Sequence, residues 1–381
     1  MAELLLWLSL LGLFYIFAGY PLLVAMRAHW FPRPVQKAPY RASVSVLISV
    51  YGEVEPLEAK LKSVLRMQAA DLIKEVLIGS DGSSGDLAGA VARVGDERVR
   101  LFEFTERRGK PSVLNDLIKE CSGEIVLLTD ARQPLNPEAL TALLENFADP
   151  SVGVVSGELV FVTTEGDTTA AKGIGAYWRY EKWIRRSEAA FGSVPGATGA
   201  IYAIRRALLE PLPANTLLDD VALPMRAIQR GFRCVFESRA EAYDRPESDP
   251  HREALRKRRT IAGNVQLIRL WPSLLNPAKN PAWFAFVSHK LLRLLAPFLL
   301  LLAWCSNLLL LHYSLYVVIG VAQLALLILA GLGWLFNRLG LRLGVVGVPL
   351  MFIAMNATTL VALWDSATGR FEVRWAKGNR A

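Results

Sequence analysis

Three stretches of this chain carry no charged residue: 4–26, 294–337 and 343–364. The hydrocarbon core of a bilayer is about 30 Å thick, and a helix needs about 20 apolar residues to cross it. The first and last stretches are each long enough for one crossing, and the middle one for two. Hydrophobic residues make up 52% of the 381 residues and charged residues 20%, below the ~25% charged of ordinary soluble domains. The excess apolar residues sit in the three runs, so the sequence predicts a membrane protein with a large water-soluble insert. A cleaved signal peptide is the weaker reading of 4–26. Its 23 uncharged residues exceed the usual apolar core of ~7–15, and it has neither a basic start nor a small-residue cleavage site.

The net charge is +8. Arg27, Arg33, Lys37 and Arg41 follow the first run, and Arg252, Arg256, Lys257, Arg258 and Arg259 precede the second group. Lys and Arg beside spans mark the cytoplasmic side, so this pattern favours a membrane topology signal over nucleic-acid binding. It predicts a multi-pass protein of the cytoplasmic (plasma or inner) membrane with its insert in the cytosol. Residues 1–40 form an anchor and linker, 41–265 the cytosolic domain, and 266–381 interfacial elements, spans and a basic tail. The end of the chain raises a conflict. A crossing at 343–364 puts the tail outside, yet the tail carries Arg370, Arg374, Lys377 and Arg380, which belong inside. A re-entrant last run would remove the conflict.

Cys121, Cys234 and Cys305, like the four histidines, are scattered. They form no zinc signature and no disulfide framework, in keeping with a reducing compartment.

Within the insert, apolar strands at 41–50, 74–78, 99–104 and 124–129 alternate with helix-period stretches at 54–68, 85–94, 109–121 and 136–147. This alternation predicts βαβ units and an α/β fold with a mainly parallel sheet and helices on both faces. Ligands of such sheets bind beyond the carboxyl ends of the strands, and Glu53, Asp81 and Asp130 fall at or just after such ends. Beyond 150 the pattern is less regular. It shows an aromatic helix at 170–190, a glycine-rich run at 194–203, Asp219-Asp220 leading a helix that ends near Gly231, and a strand at 232–237.

Each candidate has a plain structural reading beside the chemical one. Asp81 stands in a Gly/Ser turn and reads first as a turn residue; the run lacks dinucleotide and P-loop fingerprints. Asp130 ends an apolar strand, where an unpaired carboxylate is costly to bury. It serves either as a cap or as a ligand for Mg²⁺ or Mn²⁺, whose hard-oxygen preference a diphosphate would complete. Asp219 and Asp220 suit a helix N-terminus, and equally a base that takes a proton from a hydroxyl. Lys110 is a surface lysine or a phosphate partner at a helix start. The basic run 252–259 faces either a diphosphate or anionic headgroups.

In order along the chain stand VSVLISVYGE, SDGS, GKPSVLN, GEIVLLTDAR, GATGAIYAIRR and LLDDVALPMRAIQRGF. The series resembles the membrane-bound family 2 glycosyltransferases, inverting enzymes with a GT-A fold that include cellulose and hyaluronan synthases. The resemblance implies roles by position. Tyr51 and Glu53 flank the nucleotide base, Asp81 binds base or ribose, and Lys110 lies near the diphosphate. Asp130 is the first acid of a D-x-D metal motif, and Asp220 the general base, with Asp219 in the place of the usual Glu. Two positions depart from the family. Arg132 replaces the second acid of D-x-D, where it would offset phosphate charge. The Q-x-x-R-W of processive synthases is reduced to Arg256 through Thr260, so that Arg256 and Arg259 are left to face the leaving diphosphate. The implied reaction moves a sugar from a nucleotide-sugar, by family a UDP-sugar, to a lipid-linked or saccharide acceptor in cell-surface polysaccharide or glycolipid synthesis. A processive synthase that extrudes its polymer is the enzymatic alternative. A membrane transport or assembly protein with a nucleotide-binding insert is the alternative from another class.

Overall fold

The protein is described by a computed structural model covering residues 1–51, 55–83, 85–162, 169–245, 250–340 and 346–368. Glu53, the link 341–345 and the basic tail from 369 lie outside the described residues.

The chain opens with helices α1 (Ala2–Phe14) and α2 (Tyr20–Trp30), joined through one π turn at Tyr15–Gly19 into a continuous apolar rod. Strands and helices then alternate: β1 (Val44–Val50), α3 (Glu55–Leu65), β2 (Ile73–Asp81), α4 (Leu87–Val94), β3 (Val99–Phe104), α5 (Lys110–Glu120), β4 (Ile125–Asp130) and α6 (Ala139–Glu145). The second half adds β5 (Val152–Phe161), α7 (Thr169–Phe191), β6 (Tyr202–Arg205), α8 (Asp219–Gln229), β7 (Arg233–Asp244) and α9 (Pro250–Leu270).

Among the described residues the strands form one sheet in the order β3-β2-β1-β4-β6-β5-β7. β1 to β4 are parallel, and β6 runs antiparallel to both β4 and β5. The sheet is therefore mixed but mainly parallel, as expected. Period-two alternation divides the apolar side chains between its faces. Val46, Ile48 and Val50 pack with Leu57, Leu61 and Leu140 on one side; Leu47 packs with Val113, Leu117 and Leu223 on the other. Because both faces are covered, the central strands read as unbroken apolar runs.

Register decides where the acids emerge. Ser49 pairs with Asp130 and Val50 with Ser80, so the last residues of β2 and β4 leave the sheet on either side of the β1 terminus. Asp130 is the final residue of β4 and Asp81 that of β2, at the strand ends as expected. Two strands were not predicted, β5 and β6, and β7 runs well past the expected 232–237.

After α9 come the short α10 (Trp283–Ala285), a π turn at Phe286–Leu291, α11 (Leu292–Leu308), α12 (Ser314–Arg338) and α13 (Gly347–Ala367). Among the described residues four helical stretches are long and apolar enough to cross a membrane: Ala2–Trp30, Trp283–Leu308, Ser314–Arg338 and Gly347–Ala367. The first two pack face to face, with Gly12 against Leu299. At their domain end a polar cluster binds them to α7. Tyr20 donates to Glu188 at 2.5 Å, the His289 ring nitrogens lie 2.8 Å from Glu188 and 2.9 Å from Glu181, and Arg293 pairs with Glu181. A buried carboxylate left alone costs several kcal/mol, so each of these groups requires the others. The aromatic residues expected on this helix serve packing: Tyr180 donates to the Phe17 carbonyl, and Trp178 meets Phe161 edge-on.

Candidate active site

Lys110 is the first residue of α5, held there by Gly109 at φ 88°, a conformation that favours glycine. Asp81 orients that turn. Its buried carboxylate accepts the backbone N–H of Arg108 at 2.7 Å and of Gly109 at 2.9 Å. In this structure Asp81 fastens the loop that carries Lys110.

The Lys110 ammonium lies 3.0 Å from Asp130 Oδ1 and 3.2 Å from Asp219 Oδ2. Burial alone would lower its pKa, but the charges of Asp130, Asp219 and Asp220 outweigh this and hold it protonated. Asp219 and Asp220 open α8, where the helix dipole favours acids. The glycine-rich loop completes the group. The Gly199 N–H donates to Asp220 Oδ2 at 3.1 Å, and a Cβ at Gly199 would stand 3.2 Å from Asp220 Oδ2 and 3.6 Å from Asp130 Oδ2. Burial, then the neighbouring charge of Asp219, pushes the Asp220 carboxyl up to about 6 against the pull of Lys110. A carboxyl tuned upward in this way suits proton abstraction near neutral pH.

Among the described residues no group of three His, Cys, Asp or Glu side chains is placed to hold a metal. What stands at the site is Asp130, about one third exposed, with Oδ2 directed toward the Gly199 gap. Asp219 Oδ2 is shielded from solvent and lacks an aligned hydrogen bond. This set fits a hard cation that takes one or two protein oxygens and completes its shell from a diphosphate. It does not fit a closed protein cage.

The remaining expected residues divide. Tyr51 follows β1 directly, and the Arg107 guanidinium stacks on its ring at 4.1 Å. Arg132 pairs with Asp244 at 2.9 Å, where Gln133 also donates. Arg259 reaches the carbonyl of Leu217, two residues before Asp219, at 3.2 Å. Arg256 lies one turn earlier on α9.

Three residues went unremarked in the sequence. Lys60 is fully buried and donates to Thr129 Oγ1 and the Gln133 carbonyl, both at 2.6 Å, bracketing Asp130 from behind. Burial pushes its ammonium down to about 7, with Asp130 opposing. Its signal was available, because it occupies the apolar stripe of Leu57, Leu61 and Val64. Tyr202 is buried with no hydrogen-bond partner for its hydroxyl; burial and the charges of Asp219, Asp220 and Asp130 raise its pKa. Arg107 has two buried N–H groups without a partner, beside the Tyr51 ring.

Residues 45–212 match the model of Glycosyl transferase family 2. Poly-beta-1,6-N-acetyl-D-glucosamine synthase of Staphylococcus aureus is 26% identical over 199 residues, which cover 51% of this chain and 48% of that protein. The Staphylococcus epidermidis protein of the same name is 25% identical over 240 residues, covering 61% of this chain and 57% of its own. The chain thus spans about half the length of the curated relatives it matches. Among solved structures, the mannosyltransferase PcManGT from Pyrobaculum calidifontis, in complex with GDP-Man and Mn²⁺, superposes with a TM-score of 0.72 at 22% identity. The match covers 97% of this chain and all of that one. The two share a GT-A fold.

Proposed function

We propose that this chain, whose residues 45–212 match the model of Glycosyl transferase family 2, is a membrane-bound inverting glycosyltransferase. It moves a sugar from a nucleotide-sugar, read here as a UDP-sugar, to a lipid-linked or saccharide acceptor on the cytosolic face of the plasma or inner membrane. The observation that carries this reading is the convergence of Lys110, Asp130, Asp219 and Asp220 around Gly199. The relatives named as polysaccharide synthases support an assignment to cell-surface polysaccharide synthesis.

In this reading Asp220 takes the proton from the acceptor hydroxyl as that oxygen attacks the anomeric carbon. Tyr51, stacked on Arg107, and Asp81 line the nucleoside side, with Glu53 assigned to the same side by sequence. Lys110 meets the charge that develops on the departing diphosphate. Preorganised charge of this kind is usually the largest catalytic term, and one donor is worth about 3–4 kcal/mol. Asp130 would hold Mg²⁺ or Mn²⁺, with Asp219 adjoining; when bound, the cation supplies further positive charge at the diphosphate. Arg132, Arg256 and Arg259 add to the positive surroundings of the leaving group.

The test is a donor screen with the full-length protein in membranes, with and without Mn²⁺ or Mg²⁺, reading released nucleoside diphosphate and product length together. Metal-dependent release that requires an acceptor is expected. Tight nucleotide binding without release, whatever the acceptor, would overturn the enzyme reading in favour of a nucleotide-binding membrane protein. Long products from the donor alone would identify a processive synthase.

A further inference from the structure

Helix α13 has 21 residues, about 30 Å at 1.5 Å per residue and so long enough to cross a bilayer. Its contacts describe another placement. Near its start, Met351 Sδ lies 3.5 Å from Lys257 Nζ. Near its end, Asp365 pairs with Arg258. Met351 and Asp365 are about 21 Å apart along the helix, yet they meet consecutive residues of α9. The middle of α13 therefore lies across α9.

α9 is fixed to the catalytic domain. Gln266 accepts the Leu217 N–H at 2.8 Å and donates to the Asn215 carbonyl at 2.6 Å, and Gly263 lies against Leu218. If α13 crossed the membrane, its midpoint would stand at mid-bilayer. It would take α9, and the loop that carries Asp219 and Asp220, into hydrocarbon with it. Backbone and charged groups there are costly. The start of α13 agrees: Val346 lies against Gly333, in the last turns of α12. Phe352 meets Phe17 edge-on, with ring centroids 5.1 Å apart, about level with the π turn of the first helix.

The exposed side of α13 is apolar. Ala354, Ala357, Val361 and Trp364 share it, whereas Asn356, Thr359 and Asp365 are buried. Such a side suits contact with acyl chains, and the crossing with α9 sets its depth. We propose that α13 does not cross the bilayer but lies in its interface on the catalytic side, with Val361 and Trp364 against lipid. The chain then crosses three times, and α13 ends in the compartment of the catalytic domain. This also removes the conflict over the basic tail, and it does not depend on which reaction the domain performs.

The experiment uses the full-length protein in sealed vesicles, with Cys305, the exposed native thiol, changed to Ser. Glu97→Cys, exposed on the catalytic domain, and Thr368→Cys, exposed at the end of α13, are treated separately with a membrane-impermeant maleimide. Labelling of both from the same side is expected; labelling from opposite sides would overturn the proposal. A spin label at Ala357→Cys gives a second reading. Interfacial placement puts it about 5–10 Å below the headgroup boundary, whereas a crossing helix would hold it near mid-bilayer, about 15 Å deep. A mid-bilayer depth would equally overturn the proposal.

Discussion

The Gly199 backbone N–H donates to Asp220 Oδ2 at 3.1 Å, and the space that a Cβ on Gly199 would fill is bounded by carboxylate oxygens of Asp220 and Asp130. A loop residue without a side chain thus separates the two acids while it orients one of them. Gly199→Ala is expected to push the Asp220 carboxylate aside. Transfer should fall by about tenfold or more, each tenfold being about 1.4 kcal/mol of barrier, with nucleotide binding retained. The check is kcat against the dissociation constant for nucleoside diphosphate.

Asp220→Asn removes the base while conserving shape. Transfer should drop by about 10²–10⁴-fold, the usual contribution of a positioned base, while donor binding survives. An Asp220→Asn enzyme with normal turnover would falsify the assignment.

The pH profile follows from the same residue. Its carboxyl is pushed up to about 6, and only the deprotonated form accepts a proton. The rate should therefore rise with pH through about 6 and level off above it. The sign for stability is opposite. A carboxyl raised above its unfolded value opposes folding once pH exceeds the unfolded pKa, so Asp220→Asn should melt higher than the wild type at pH 7. Both are read from rate and melting curves across pH.

Lys110→Met leaves Asp130 and Asp219 facing each other without a counter-charge, and removes the cation that draws the Asp220 pKa down. Turnover should fall by about 10²–10³-fold, the cost of one lost charge donor. The residual activity should show its acidic limb at higher pH than the parent. An unmoved limb would mean that Lys110 does not act on Asp220.

Gly263→Ala tests the support from α9. Its Cβ would stand 2.4 Å from Leu218 Cγ, next to Asp219. Overpacking of this kind costs about 1–3 kcal/mol. The variant should lose turnover and melt lower than the parent, read from kcat and a thermal melt.

Much of this site was legible because its acids lie at the ends of apolar strands, where a residue's position in the chain determines its place in space. Asp81 and Asp130 could be located on that ground, and Lys110 by its place at a helix start after Gly109. Strand β5 was not read, because Gly153 and Gly157 interrupt its apolar pattern. Both glycines are needed, since a side chain at Gly157 would meet the Ala240 carbonyl at 2.5 Å and one at Gly153 would meet Leu208 and Phe232. The pairing of Arg132 with Asp244 joins residues 112 positions apart, and no local spacing announces it. Lys60 was visible as a charge on an apolar stripe, but its partners Thr129 and Gln133 follow only from the packing of α3 on the sheet.

The cluster formed by Tyr20, Glu188, His289, Glu181 and Arg293 also limits how the protein can be dissected. An excised fragment covering only the water-soluble portion would lose the hydroxyl and the imidazole that satisfy Glu188, and would strip the cover from Ile184, which packs with Tyr20 and Val24. Such a fragment would carry a naked acid and a greasy scar on its longest helix. Recombinant work on this protein should therefore begin with the intact chain in detergent or nanodiscs.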